Sequence, residues 1–251
     1  MQTTCKNCNT NFEGNFCSNC GQTAHTHAIN WHYLWHDIQH GIFHVDSGIL
    51  FTIKELLLRP GTTIRNFIEG KRVPYFKPVA MIFVLATVYG LLFHYFHIEI
   101  PVTAQSENAE LQKATTNVNN WISGHFALST LLLIPLNALS SYLAFRKSGY
   151  NYVEHGIINL YTGALKVVIN LIMFPLLYFC NHTPQMGKIL VLSLLIDILL
   201  TSYVYFGFFK GFNPANRILR IILSIIYFFI LLTIFVFIIS AIIVFLFPGL
   251  I

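Results

Sequence analysis

Charge is scarce in this 251-residue chain: Asp, Glu, Lys and Arg together make up 10% of it, against about a quarter in an average soluble domain. With 55% hydrophobic residues and a mean hydropathy of +0.62, that scarcity excludes an ordinary soluble domain. The chain reads as a polytopic membrane protein with a small polar head. Common catalytic signatures are missing too. No GxSxG, P-loop or GxGxxG run occurs, so neither a nucleophile elbow nor a phosphate-cradling loop is written in the sequence. No internal repeat supplies the inverted symmetry of many transporters. The net charge of +5 is not gathered into a basic stripe interleaved with aromatics, so nucleic acid is not an expected partner. No secretory signal is expected ahead of the first cysteines, and the first apolar segment is expected to act as the insertion signal.

Cysteine is confined almost wholly to one end. Cys5-x-x-Cys8 and Cys17-x-x-Cys20 fall within residues 1–22, and only Cys180 lies elsewhere. Each CxxC turn aims two sulfurs at one point, and two such turns supply a tetrahedral thiolate site. Gly21, with Asn7 and Asn19 inside the knuckles, suits tight turns. The alternatives are two disulfides or a redox pair. The expected occupant is one structural zinc per chain on Cys5, Cys8, Cys17 and Cys20, closed and non-catalytic, holding a fold too small for its own core.

Residues 29–45 read as an amphipathic helix. Trp31, Leu34, Trp35, Ile38, Ile42 and Val45 share one face, and His32, His36, His40 and His44 recur every four residues on another. Tryptophans on the apolar edge suit a helix lying at a membrane surface. Residues 49–59 predict a second short amphipathic helix, with Lys54 and Glu55 turned away from its apolar side. Pro60-Gly61 breaks it, and a third short helix is capped by Thr62 or Thr63. Five apolar segments follow, at about 79–97, 122–145, 157–180, 188–209 and 218–247, each reaching the ~20 residues that cross a bilayer. The expected organisation is a zinc ribbon (1–22), juxtamembrane amphipathic helices (23–78) and a five-helix transmembrane domain (79–251). With the N-terminus inside, twelve Lys and Arg fall on inner segments and two, Lys113 and Lys188, on outer ones. That asymmetry predicts a cytoplasmic head and a C-terminus outside.

Three constellations could carry chemistry. His36, His40 and His44, with Asp46 beside them and Glu154 and His155 from the membrane domain, form a candidate second metal or polar site. The plainer reading is the polar face of an interfacial helix. Lys166 and Asp197 are the charges inside predicted spans, both near mid-membrane, and are expected to form a buried ion pair. They serve either as a structural lock or as an ion path. Asn159 and Asn170 are expected to join helices. Arg65, Lys71, Arg72 and Lys77 form a basic cluster that would attract anionic lipid headgroups or simply set topology.

The motifs CxxC…FCSNCGQ, HDIQHGIFHVDSG, KELLLRPG, FIEGKRVPYFKP and YVEHGIINLY resemble a bacterial family of uncharacterised integral-membrane proteins, common in Bacteroidota, that bear a zinc ribbon. The resemblance covers the head and first three spans and implies no known reaction. It departs at Phe67, where Tyr is expected in many relatives. A looser similarity, in the RPG-type juxtamembrane helices before five spans, is to Yip1-like membrane proteins. The reading is an all-α inner-membrane protein, non-enzymatic, with the zinc ribbon as a docking platform for a cytoplasmic protein partner. The alternatives are a His-rich metal-dependent membrane enzyme, or a small-solute or ion carrier working through Lys166 and Asp197.

Overall fold

The long apolar runs fold as helices because, away from water, only a helix satisfies every backbone N–H and C=O within one segment. The computed structural model describes residues 2–26, 28–35, 48–98, 117, 121 and 124–246. A two-stranded antiparallel ribbon, β1 (Thr3–Thr4) and β2 (Asn11–Phe12), opens the chain with Thr3 opposite Phe12. Residues 31–35 are helical. Then come α1 (Ile49–Leu58), α2 (Pro60–Ile68), α3 (Pro78–Tyr95), α4 (Phe126–Ala144), a 3₁₀ turn (Arg146–Ser148), α5 (Tyr152–Cys180), α6 (Met186–Phe208) and α7 (Pro214–Leu246). Five of these, α3 to α7, are long and apolar enough to cross a membrane. The protein is therefore an all-α, multi-pass membrane protein with a four-cysteine cluster at its head.

Helix α5 is the hub, packing against α3, α4 and α6 and against both short helices, while α4 also packs along α7. The fully buried large side chains, including Phe67, Met81, Phe145, Tyr161 and Tyr205, lie where these helices meet. Much of α6 and α7 faces outward with apolar residues such as Leu195, Leu199, Phe237 and Ile238, as a lipid-facing surface must.

Two local expectations are corrected. Pro60 ends α1 and also opens α2 as its first residue, where its missing N–H costs nothing and its fixed φ suits a helix start. The cap position is thus Arg59, not Thr62 or Thr63; Thr63 is buried and donates to the Glu55 and Arg59 carbonyls at 3.2 and 3.1 Å. Glu55 also turns inward rather than outward. It is buried and holds Arg59 by two bonds of 2.7 and 3.0 Å.

Gly61 explains how α2 closes against the end of α6. A Cβ there would collide with the Gly207 carbonyl group, so the two backbones touch. Gly61→Ala is expected to force the helices apart and cost about 1–3 kcal/mol, read as a lowered melting temperature of the purified protein.

Candidate functional site

The head is built from two knuckles with one hydrogen-bond pattern. Asn9 N–H donates to the Cys5 carbonyl and Gly21 N–H to the Cys17 carbonyl, both at 2.9 Å. Cys5 N–H reaches Thr10 O at 2.9 Å and Cys17 N–H reaches Gln22 O at 2.8 Å. The residue after each second cysteine takes positive φ, +59° at Asn9 and +73° at Gly21, a conformation open to Gly and tolerated by Asn. The turn residues are therefore Asn9 and Gly21, not Asn7 and Asn19. Those two asparagines instead reach across, Asn19 toward the Cys8 sulfur and Asn7 toward the Cys20 sulfur.

The four sulfurs all lie within 4.8 Å of one another, with Cys5–Cys20 at 3.5 Å and Cys8–Cys17 at 3.6 Å. Four thiolates at about 2.3 Å from a tetrahedral ion stand about 3.8 Å apart, so the geometry fits such an ion closely. None of the four is joined in a disulfide. The Thr10 hydroxyl, 3.3 Å away, and the Thr10 N–H draw the Cys8 thiol down to about 6. The Asn7 amide and the Gln22 N–H lower that of Cys20. Burial pushes Cys5 up to about 11. Cys8 and Cys20 thus give up their protons more readily than a free thiol, and Cys5 does so only to something that compensates its burial.

This head is fastened down. Gln22 is only 3% exposed, and its Oε1 accepts from the Arg72 and Val73 N–H groups, each at 3.2 Å. Ile29 is buried in the main core, and its carbonyl accepts from the Asn151 amide at 3.1 Å. Trp31 lies against Tyr152, and the Arg72 guanidinium lies 4.4 Å over the Tyr33 ring. Phe76 then locks the following segment. Its N–H donates to Thr52 Oγ1 at 2.7 Å, and its carbonyl accepts from Tyr161 at 2.7 Å.

The remaining predicted residues divide. His36, His40, His44 and Asp46 lie outside the described residues. Glu154 and His155 do not converge on one point. The Glu154 carboxylate accepts from Asn151 N–H at 2.7 Å and closes the capping box of α5. His155 is wholly buried, its Nδ1 lying 2.9 Å from Ser141 Oγ and its ring stacked on Phe209. Adjacent helical residues point about 100° apart, which is why the Glu-His dipeptide supplies a cap and a core residue rather than two ligands. Asn159 extends the buried chain. It donates to Ser141 Oγ at 3.0 Å and accepts from the Tyr205 hydroxyl at 2.7 Å, tying α4, α5 and α6 together.

Lys166 and Asp197 make no direct ion pair; among the described residues the one salt bridge is Arg59–Glu55. The expected contact is replaced by a shared cavity of about 430 Å³ between α4, α5, α6 and α7, lined by both charges and by Asn170, Thr201 and Tyr205, with Phe228 and other apolar side chains. The Oδ1 atoms of Asn170 and Asp197 are buried with no hydrogen-bond partner, so Asn170 is not simply helix glue. The basic cluster is split as well. Arg65 donates to the Gly207 and Phe208 carbonyls at the end of α6, and Lys71 reaches Asn66 Oδ1 at 3.4 Å. Nothing in the residue types distinguished Arg65 from its neighbours; the signal was Gly61, one turn before it.

Residues 46–90, which span α1, α2 and most of α3, match a family described as a protein of unknown function (DUF3667). No curated protein and no solved structure matches the chain.

Proposed function

We propose that this chain is a non-enzymatic scaffold of the bacterial cytoplasmic membrane. Its N-terminus lies in the cytoplasm and its C-terminus outside, and its head is a zinc ribbon holding one structural ion on Cys5, Cys8, Cys17 and Cys20. Twelve Lys and Arg on the inner segments against two on the outer ones support that orientation, and reduced cysteines belong to the same compartment. The carrying observation is Gln22. By accepting two backbone N–H groups from the segment ahead of α3, it makes the head a fixed cap on the bundle rather than a tethered finger. A rigid cap presents one constant surface to a cytoplasmic protein partner, with anionic lipid headgroups around the basic residues Arg65, Lys71, Arg72 and Lys77.

Gln22→Leu tests this. Removing the acceptor leaves two N–H groups of residues 72 and 73 without their partner, at a cost of about 1–3 kcal/mol. The variant is expected to keep its zinc while trypsin cuts at Lys71 and Arg72 about 10-fold faster, because the head opens locally. An unchanged cleavage rate would overturn the fixed cap.

A second reading, a small-solute or ion carrier, draws on the cavity around Lys166 and Asp197. Its unpartnered Asn170 and Asp197 oxygens are unusual for a site that serves packing alone. The Tyr205–Asn159–Ser141–His155 chain beyond it is no proton wire. An amide does not readily take up and release protons, so Asn159 acts as a brace.

A further inference from the structure

Three cations from three separate elements meet at one end of the bundle. Arg65 comes from α2, Lys147 from the 3₁₀ turn after α4, and Lys210 from the loop after α6. They line a cavity of about 220 Å³ with Ser148 and Tyr150, and no carboxylate lies among its described lining residues. The wall is aromatic: Tyr150 packs on Phe208, and Phe209 stacks on Phe145 at 3.8 Å. It is therefore held in place by the buried core.

Cations often gather at helix C-termini to offset the partial negative charge of free carbonyls. Here that need is already met by arginines. Arg65 takes the Gly207 and Phe208 carbonyls, Arg217 the Phe206 carbonyl, and Arg220 the Ala144 carbonyl at the end of α4. Lys147 and Lys210 are exposed, and neither ammonium has a hydrogen bond or ion pair among the described residues. Like charges held together without a counter-charge repel, and the arrangement is relieved when an anion enters. Three positive charges, one of them a planar guanidinium, suit a multiply charged tetrahedral oxyanion, and the Ser148 and Tyr150 hydroxyls add donors of the right kind.

We propose that this cavity is a binding site for a multiply charged phosphate group, supplied either by an anionic lipid headgroup that ends in a phosphate monoester or by free inorganic phosphate, with Lys147 and Lys210 as its principal ligands. The inference deepens the lipid-facing part of the proposed function. It moves recognition from the row Lys71, Arg72 and Lys77 to a discrete pocket.

The test uses the full chain in neutral detergent with phosphatidylcholine, titrated with phosphatidic acid or with inorganic phosphate, and reads apparent affinity from the rise in melting temperature. Lys147→Ala/Lys210→Ala is expected to weaken binding about 10-fold or more without lowering the ligand-free melting temperature, since it removes like charges that repel. Lys71→Ala, outside the pocket, is expected to change it less than about 2-fold. Phosphatidic acid that inorganic phosphate does not displace identifies a lipid headgroup, and binding of inorganic phosphate alone identifies a free phosphate; either supports the site. If neither probe raises the melting temperature, the site does not exist. An equal loss from Lys71→Ala also overturns it, in favour of diffuse surface charge, while leaving the scaffold's general attraction to anionic lipid intact. The reverse case is separable as well. Reporter fusions placing this face outside the cell would refute the proposed orientation without altering pocket binding in detergent.

Discussion

Metal analysis of the reduced, purified protein is expected to return one zinc per chain, and Cys17→Ser is expected to return none. The effect should be large because the head has almost nothing else to hold it. Its buried apolar cluster is Cys5, Phe12 and Cys17, and its sheet is two strands of two residues. A structural zinc supplies about 10–16 kcal/mol of apparent binding free energy at neutral pH, far more than so small a core provides. Loss of the ion should therefore unfold residues 3–24 and release Gln22 from the Arg72 and Val73 N–H groups. The bundle core around Tyr161 and Tyr205 is separate, so helical circular dichroism should hardly change while protease cleavage near Lys6 rises steeply. Cys180→Ser, in α5 and far along the chain from the knuckles, should leave the zinc content at one. Retention of zinc by Cys17→Ser would sink the site, as would a wild-type protein that carries two disulfides instead of metal.

The four-cysteine cluster is readable in the sequence because it is written locally, in two turns whose spacing is almost the geometry itself. The five helices were readable for a similar reason: the bilayer imposes a length and a composition on every crossing segment. What escaped was set by tertiary approach. Glu55 looked like a solvent-facing residue of an amphipathic helix, yet it is buried on Arg59, four residues along. Arg65 was indistinguishable from Lys71 and Lys77 until the contact of Gly61 with Gly207 put it at the end of α6. Glu154 and His155 were adjacent in sequence and were paired for that reason, whereas one helical step sends the first to a cap and the second into the core. Gln22 closes the FCSNCGQ motif, but nothing in that motif says what it holds. An uncharged residue beyond a cysteine knuckle becomes a fastening only when residues 72 and 73 return beside it.

Lys166→Met and Asp197→Asn are each expected to destabilise the bundle by about 3 kcal/mol, and the charge exchange Lys166→Asp/Asp197→Lys is expected to recover most of that loss. A lone charge in the membrane interior costs several kcal/mol, and removing one member of a coupled pair leaves the other uncompensated. The two groups interact electrostatically across their shared cavity without touching. Their attraction therefore depends on separation rather than on a specific hydrogen bond, and it should survive the exchange. What cannot survive it is the surrounding pattern. Asn170 lies one turn beyond Lys166 and Thr201 one turn beyond Asp197, so exchanged charges meet different neighbours. Stability and transport consequently separate. If the pair is a lock, the exchanged protein should match the wild type in melting temperature and neither should support flux into proteoliposomes. If the cavity carries a solute or ion, the wild type should show flux, Asp197→Asn should abolish it while remaining folded, and the stable exchanged protein should still fail to restore it. Wild-type flux that Asp197→Asn leaves unaltered would exclude this cavity as its route.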